Sequence, residues 1–306
     1  MEIYLPIAEM SVHWLLLFAM GGAVGFLSGM FGVGGGFLLT PLLIFYGIPS
    51  GVAVATTASH VTASSMSGAL TQLRNRAVDL KLAGIMTISG IVGTGIGVWL
   101  FGLLREAGQM ELIVSASYVI MLGTIGILML RESMETLAAS RRGEPAPSAR
   151  AQHHNWIHGL PLKMRFRDSR LYISVIPPVL IGLSVGILSA IMGIGGGFVL
   201  VPALIYLVRV PANIVMGTSL MQILFVTASS TILHSVSDFT VDIVLAAILI
   251  AGGVIGAQFG VRMAARLRGE QLRFLLALLV LAVGARLLYG LLVSPGDPFS
   301  ISADMP

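Results

Sequence analysis

The sequence predicts an all-α polytopic membrane protein, two inverted repeats of about five helical elements each with short broken helices after Gly-rich loops. Three observations predict it: long apolar runs, an internal duplication, and a charge bias that reverses between equivalent loops.

The apolar runs come first. Of 306 residues, 56% are apolar and 10% charged, with mean hydropathy +0.94. A soluble domain of that make-up could not cover itself with polar surface. Residues 14–31, 82–104, 112–130, 241–261 and 272–293 approach or exceed the roughly 20 residues that cross a bilayer core. Met1 to His13 carry Glu2 and Glu9 and no Lys or Arg, so no cleaved signal peptide is expected. With no Cys, disulfides and thiolate metal sites are excluded. The pI near 9.8 arises from basic residues in short loops beside apolar spans, a pattern that orients a membrane protein and argues against a nucleic-acid partner.

The duplication is visible residue by residue. Gly25-Phe-Leu-Ser-Gly-Met-Phe-Gly-Val-Gly-Gly-Gly-Phe-Leu-Leu-Thr-Pro-Leu-Leu-Ile44 aligns with Gly186-Ile-Leu-Ser-Ala-Ile-Met-Gly-Ile-Gly-Gly-Gly-Phe-Val-Leu-Val-Pro-Ala-Leu-Ile205, identical at twelve of twenty positions. That exceeds what shared apolar bias produces. After one inserted residue, Pro49 pairs with Pro211, Ala55-Thr56-Thr57 with Gly217-Thr218-Ser219, and His60 with Gln222; further on, Gly90, Gly93 and Gly97 pair with Gly253, Gly256 and Gly260. Each half holds five apolar elements, A to E: 13–33, 36–47, 50–73, 80–104 and 110–130, then 171–194, 197–208, 212–234, 241–263 and 271–293. The predicted division is a first repeat at 1–130, a linker at 131–170 that is mobile at 141–158, a second repeat at 171–293 and a tail at 294–306.

Charge placement orients the halves. The linker holds Arg131, Arg141, Arg142, Arg150, Lys163, Arg165, Arg167 and Arg170, which places it in the cytoplasm. The first C to D loop has Arg74, Arg76 and Lys81, but its equivalent, residues 235–240, has no basic residue. The second D to E loop has Arg262, Arg266, Arg268 and Arg273 against a lone Arg105 in the first. Opposite bias in equivalent loops implies opposite orientations, hence an odd number of crossings per half. Five crossings would put both termini in the periplasm, and the acidic tail with Asp297 and Asp304 agrees. Three, with A and B folding back as a re-entrant pair, keeps the same parity. Element B at 36–47 would rise only about 18 Å as a helix, too short for a core of about 30 Å, so a half-helix is expected there.

The Gly-rich junctions read as an anion site. Gly34, Gly35 and Gly36, and Gly195, Gly196 and Gly197, each open a short helix. Consecutive glycines let backbone N–H groups turn toward one point, and the helix start adds unsatisfied donors and a positive dipole end. Inverted repeats bring such breaks together near the bilayer midplane. Two starts of about +0.5 charge each would balance roughly one negative charge. Thr56, Thr57 and His60, with Thr218, Ser219 and Gln222, stand at corresponding depths and could complete the shell; His60, an ionisable group mid-span, could instead carry a coupled proton. The competing roles are structural: glycines that let helices approach, hydroxyls that satisfy their own helix carbonyls, and a neutral packed histidine. For Gly90, Gly93, Gly97, Gly253, Gly256 and Gly260, close packing is the expectation.

Absences narrow the chemistry. Asp79, Glu111 and Asp242 lie near span ends, so the deep carboxylate expected of a cation carrier is missing. With Lys81 and Lys163 the only lysines, no phosphate-binding loop is present, and no G-x-S-x-G appears; neither an enzyme nor a cofactor is expected. His153, His154 and His158 sit in a polar linker and read as solvated, and no metal site is expected.

At Gly25-(x)6-Gly32-x-Gly34-Gly35-Gly36-(x)4-Pro41, its copy Gly186-(x)6-Gly193-x-Gly195-Gly196-Gly197-(x)4-Pro202, and the pairs Thr56-Thr57 and Thr218-Ser219, the chain resembles the sulfite exporter TauE/SafE family. The resemblance covers 13–130 and 171–293. It implies a bacterial inner-membrane permease moving sulfite, organosulfonates or related small anions outward, with the bilayer as a further partner and protons as the candidate coupling ion. The residues leave a second reading open, a non-transporting scaffold or sensor subunit with the same fold.

Overall fold

A computed structural model describes residues 2–31, 35–141, 161–166, 168–169, 171–264 and 269–293. Most of the linker, 142–160, and the tail, 294–306, lie outside the described residues, as do the expected mobility of 142–158, His153, His154, His158 and Gly34.

The same element order occurs twice. The first half has a hairpin, β1 (Glu2–Leu5) and β2 (Met10–His13), followed by α1 (Trp14–Phe31), α2 (Gly36–Phe45), α3 (Ser50–Arg74), α4 (Leu80–Glu106) and α5 (Met110–Arg141). The second has β3 (Lys163–Phe166), β4 (Leu171–Ser174), α6 (Ile176–Met192), α7 (Gly197–Pro202), α8 (Ala212–Ser237), α9 (Ile243–Ala264) and α10 (Gly269–Leu292). A π-helical stretch, Ala203–Val208, prolongs α7. Pro202 inside that short helix has no N–H to give, and the widened turn comes after it, whereas α2 runs on as α-helix past the equivalent Pro41.

The helices confirm an all-α multi-pass membrane protein. Among the described residues, α4, α5, α8, α9 and α10 are long and apolar enough to cross a bilayer, and α1, α2 and α6 are shorter apolar helices. Lipid-facing surface is plain on the outer helices: Ile88, Val92 and Trp99 of α4, Ile120 of α5 and Leu278 of α10 stand exposed. Helix α3 is different. Its 25 residues are long enough to span, yet Thr56, Thr57, Ser59, His60, Thr62, Ser64 and Ser65 dilute its apolar character. It is an inner helix, with residues 52–58 buried and Thr62 Oγ1 donating to Thr227 Oγ1 of α8 at 2.8 Å.

Packing runs between the halves more than within them. The α1 helix lies along α9, α6 along α4, α3 against α8, and α5 against α10. The first two pairs depend on glycine. A methyl group on Gly25 would collide with the Gly253 carbonyl, and one on Gly186 with the Gly90 carbonyl; Gly256 and Gly93 meet the carbonyls of Gly22 and Leu183 in the same way. Backbones that close leave no room for a side chain, which is the small-residue packing expected of membrane helices.

Two features differ from expectation. Each half begins with a β-hairpin, where sequence reading placed no strand: the first precedes element A, and the second covers the end of the linker and the start of the second element A. Helix α5 runs on to Arg141, beyond the apolar limit at 130, because helix-forming Glu, Met and Leu continue there without hydrophobicity.

Candidate functional site

The two Gly-rich bends meet at the centre. In the second half, Gly193, Gly195 and Gly196 take φ of 71°, 74° and 73°, a left-handed backbone that L side chains avoid. This bend stops α6 and starts α7, where the Gly196 carbonyl accepts from Val199 and Leu200 N–H at 3.1 and 2.8 Å. In the first half Gly35 caps α2 with an ordinary φ of −68°, its carbonyl accepting from Leu38 and Leu39 N–H at 3.3 Å. A methyl on Gly36 would lie 2.9 Å from the Ile194 carbonyl oxygen and 3.0 Å from that of Gly193. The Phe37 and Phe198 rings that follow are stacked, centroids 4.8 Å apart at 12°.

Between the bends sits Val61. Its two methyls would lie 2.6 Å from a Cβ on Gly36 and 2.7 Å from one on Gly195. The helix starts are thus together but closely packed, with Gly35, Gly36 and residues 195–197 all buried.

The end of α6 is capped by side chains from three other helices. Thr40 Oγ1 of α2 donates to the Met192 carbonyl at 3.3 Å and Tyr118 Oη of α5 donates to the same oxygen. His234 Nε2 of α8 lies 3.0 Å from the Ala190 carbonyl. Those carbonyls lack intrahelical donors because the Gly193 bend ends the helix.

The polar residues of α3 and α8 divide into two sets. Thr56 and Thr218 hold caps: Asp242 N–H donates to Thr56 Oγ1 at 3.2 Å and Asp79 N–H to Thr218 Oγ1 at 3.1 Å. Ser219 Oγ donates to the Met216 carbonyl of its own helix at 3.0 Å. The other set has no hydrogen-bond partner among the described residues: Thr57 Oγ1, both ring nitrogens of His60, and the Gln222 side-chain nitrogen and oxygen. His60 is 1% exposed and Gln222 0%. His60 Nε2 rests against Gly253 of α9, and Gln222 Nε2 would lie 3.4 Å from a Cβ on Gly90 of α4. The repeat equivalents His60 and Gln222 therefore face the repeat equivalents Gly253 and Gly90. Leaving such groups buried and unpaired costs about 1–3 kcal/mol each.

Comparison with known families and proteins identifies the kind of chain this is. The model of the family described as "Sulfite exporter TauE/SafE" matches residues 17–287, which takes in both glycine bends and all ten helices at least in part. The chain belongs to the TauE/SafE family. Membership makes it a membrane transport protein. It is similar to a protein of Bacillus subtilis (strain 168) named "Probable membrane transporter protein YjnA", at 29% identity over 91% of this chain and 100% of that one. It is 29% identical to a "Probable membrane transporter protein" of Xylella fastidiosa (strain Temecula1), over 86% and 90% of the two chains. A third similar protein, "Probable membrane transporter protein MJ0441" of Methanocaldococcus jannaschii, shares 24% identity over 88% of this chain and 93% of that one. No solved structure gives a significant match.

Sequence reading missed Asp79, Asp242 and Ser169. Asp79 caps α4, accepting from Leu82 N–H at 3.0 Å and from Ser169 N–H and Oγ–H at 3.0 and 2.7 Å. Asp242 caps α9, accepting from Leu245 N–H at 3.0 Å and Ile7 N–H at 3.1 Å. Both carboxylates are at helix ends, as expected, but fully buried. The signal was available: Val78-Asp79 and Val241-Asp242 occupy equivalent places, just before element D in the first half and at its start in the second.

Proposed function

We propose that this TauE/SafE protein exports a small sulfur-containing anion, sulfite or an organosulfonate, across a bacterial inner membrane by alternating access. The observation that carries the reading is the matched pair His60 and Gln222, buried with every side-chain nitrogen and oxygen unpaired. Donors left unpaired at the meeting point of two halves are donors awaiting a guest. Thr57 stands one turn from His60 on the same helix and adds a hydroxyl, while the helix starts at Gly36 and Gly197 add positive dipole ends. The buried carboxylates of Asp79 and Asp242, whose backbones bond Thr218 and Thr56 one turn away, accept from helix-start N–H groups, and Asp79 also from Ser169, so those donors offset their charge.

In this proposal the halves 1–130 and 171–293 rock about the anion, joined by a cytoplasmic linker, with both termini periplasmic. The reversed charge bias of the C to D and D to E loops supports the opposed orientations. The reciprocal pairing of α1 with α9 and α6 with α4 supports an exchange of equivalent surfaces. Guest entry requires Val61 and the stacked Phe37 and Phe198 to separate, so the described arrangement is a closed one. An inside-negative potential favours outward movement of an anion by about 2.3 kcal/mol per charge per 100 mV.

Efflux of radiolabelled sulfite, taurine or sulfoacetate from proteoliposomes tests the reading. Wild-type protein releases at least one of them faster than empty vesicles, and the double variant His60→Ala, Gln222→Ala does not. Equal release by wild type and empty vesicles for all three would sink it.

A further inference from the structure

The structure assigns a proton-binding site to His234 and Asp238, at the end of α8 and outside the central site. His234 is fully buried, and its two ring nitrogens each make a contact. Nδ1 lies 2.8 Å from Asp238 Oδ2, and Nε2 lies 3.0 Å from the Ala190 carbonyl oxygen.

Counting protons decides the state. A carbonyl oxygen only accepts, so Nε2 must carry hydrogen. A neutral imidazole then presents a lone pair at Nδ1, which would face an ionised carboxylate at 2.8 Å with nothing between them. Both contacts are satisfied together only when the pair holds one proton beyond neutral histidine and ionised aspartate, either as imidazolium with carboxylate or as imidazole with carboxylic acid. Without that proton one of the two contacts becomes repulsive.

The surroundings favour it. Helix α6 ends at Met192 and α8 at Ser237, so two helix C-termini, each worth about −0.5 charge, converge on the imidazole. The edge of the Phe101 ring packs on it, centroids 4.5 Å apart. From α4, Arg105 Nη1 donates to the Asp238 carbonyl at 2.9 Å, and its positive charge acts against the extra proton, in opposition to the two helix ends; Glu106, of opposite sign, follows it in the chain. Helix α6 carries no titratable residue, and on α8 His234 is the lone one. On α3, His60 and Arg74 are the titratable groups; α3 and α8 run antiparallel, with Ser59 Oγ 3.5 Å from Thr231 Oγ1 and Thr62 Oγ1 donating to Thr227 Oγ1 at 2.8 Å, so His60 stands about one turn from the level of His234. Past the helix end, Asp242 is committed to the Ile7 and Leu245 N–H groups. In the first half the equivalent positions are Gln72 and Arg76, which offer no such pair.

The proton has a mechanical effect. Ala190 lies three residues before the Gly193 bend, so His234 ties α8 to the segment of α6 that leads into the central site. Loss of the proton makes one of the two contacts repulsive, which weakens the tie between α8 and the end of α6.

The site is read without any transported anion, so its failure is separable from failure of the export reading. In the full-length protein in detergent, nitrogen NMR of ring-labelled histidine, assigned by H234Q, and difference infrared spectroscopy with D238N report the proton near neutral pH. Expected is either a doubly protonated His234 ring or a protonated carboxyl band that D238N removes. A neutral ring together with an ionised Asp238 overturns the proposal. Asn at 238 keeps the geometry with a donor that does not titrate. Hydrogen exchange of 190–194 and 234–238 should therefore speed up by about tenfold more in wild type than in D238N as the pH is raised, the loss of one hydrogen bond to a charged group. Equal pH responses in the two proteins overturn the tie.

Discussion

The backbone N–H of Asp79 donates to the Thr218 hydroxyl at 3.1 Å, joining the start of α4 in one half to α8 in the other. The mirror contact, Asp242 N–H to Thr56 Oγ1 at 3.2 Å, joins α9 to α3. Each long helix D is thus capped by its own aspartate and seated on a threonine of the opposite half. Such caps fix the height of α4 and α9 against the inner helices, and through Gly90 and Gly253 the height of the surfaces that His60 and Gln222 face.

Asp79→Ala removes the acceptor of Leu82 N–H and of both Ser169 donors. An N-cap loss costs about 0.5–2 kcal/mol, and stranded buried donors add about 1–3 kcal/mol. Thr218→Val removes one acceptor and should cost about 1 kcal/mol. Thermal unfolding in detergent should rank wild type above Thr218→Val above Asp79→Ala. If Asp79→Ala melts with wild type, the cap carries no weight.

Gly36→Ala places a methyl 2.6 Å from Val61 Cγ2 and 2.9 Å from the Ile194 carbonyl oxygen. Overpacking of this kind costs about 1–3 kcal/mol. Val61→Ala should recover part of the loss, because it removes the nearer obstacle, and the double-mutant cycle should show a coupling of about 0.5 kcal/mol or more. Strict additivity would mean that the two bends do not meet through Val61.

How much of this could be read in one dimension depended on which residues carried the signal. The breaks at Gly32–Gly36 and Gly193–Gly197 were legible because a run of glycines before an apolar stretch has few other uses, and the duplication made the signal twofold. The hairpins were hidden. Their strands are four residues long, and in the second half Met164, Phe166, Leu171 and Ile173 alternate with or adjoin Lys163, Arg165, Arg167 and Arg170, which read as linker charge. Thr56 and Thr218 were legible as polar groups at equal depth, but their partners lie 186 and 139 residues away, and only packing shows that backbone N–H groups already occupy them. The His234 and Asp238 pair, four residues apart across the end of α8, was within reach of sequence reading, which singled out neither residue.

Orientation has its own test, since the chain has no cysteine. Asn75 and Ser237 are exposed residues in equivalent C to D regions. In intact cells, Ser237→Cys should react with a membrane-impermeant maleimide and Asn75→Cys only after the membrane is opened. Labelling of both from the same side would refute opposed halves and with them the midplane meeting of two equivalent sites.

Gln222→Met separates function from stability at the proposed anion site. The two side chains have similar volume, so packing against Gly90 and Val226 is kept while two unpaired polar atoms are removed. A buried polar group with no partner weakens the guest-free protein by about 1–3 kcal/mol. The variant should therefore melt higher than wild type without anion, and lose sulfur-anion efflux in proteoliposomes, as sites strained for binding do. His60→Gln, which copies the equivalent residue of the other half, should keep part of the transport because it retains a donor. A Gln222→Met protein that is both less stable and fully active would show that Gln222 holds the fold and does not meet the anion.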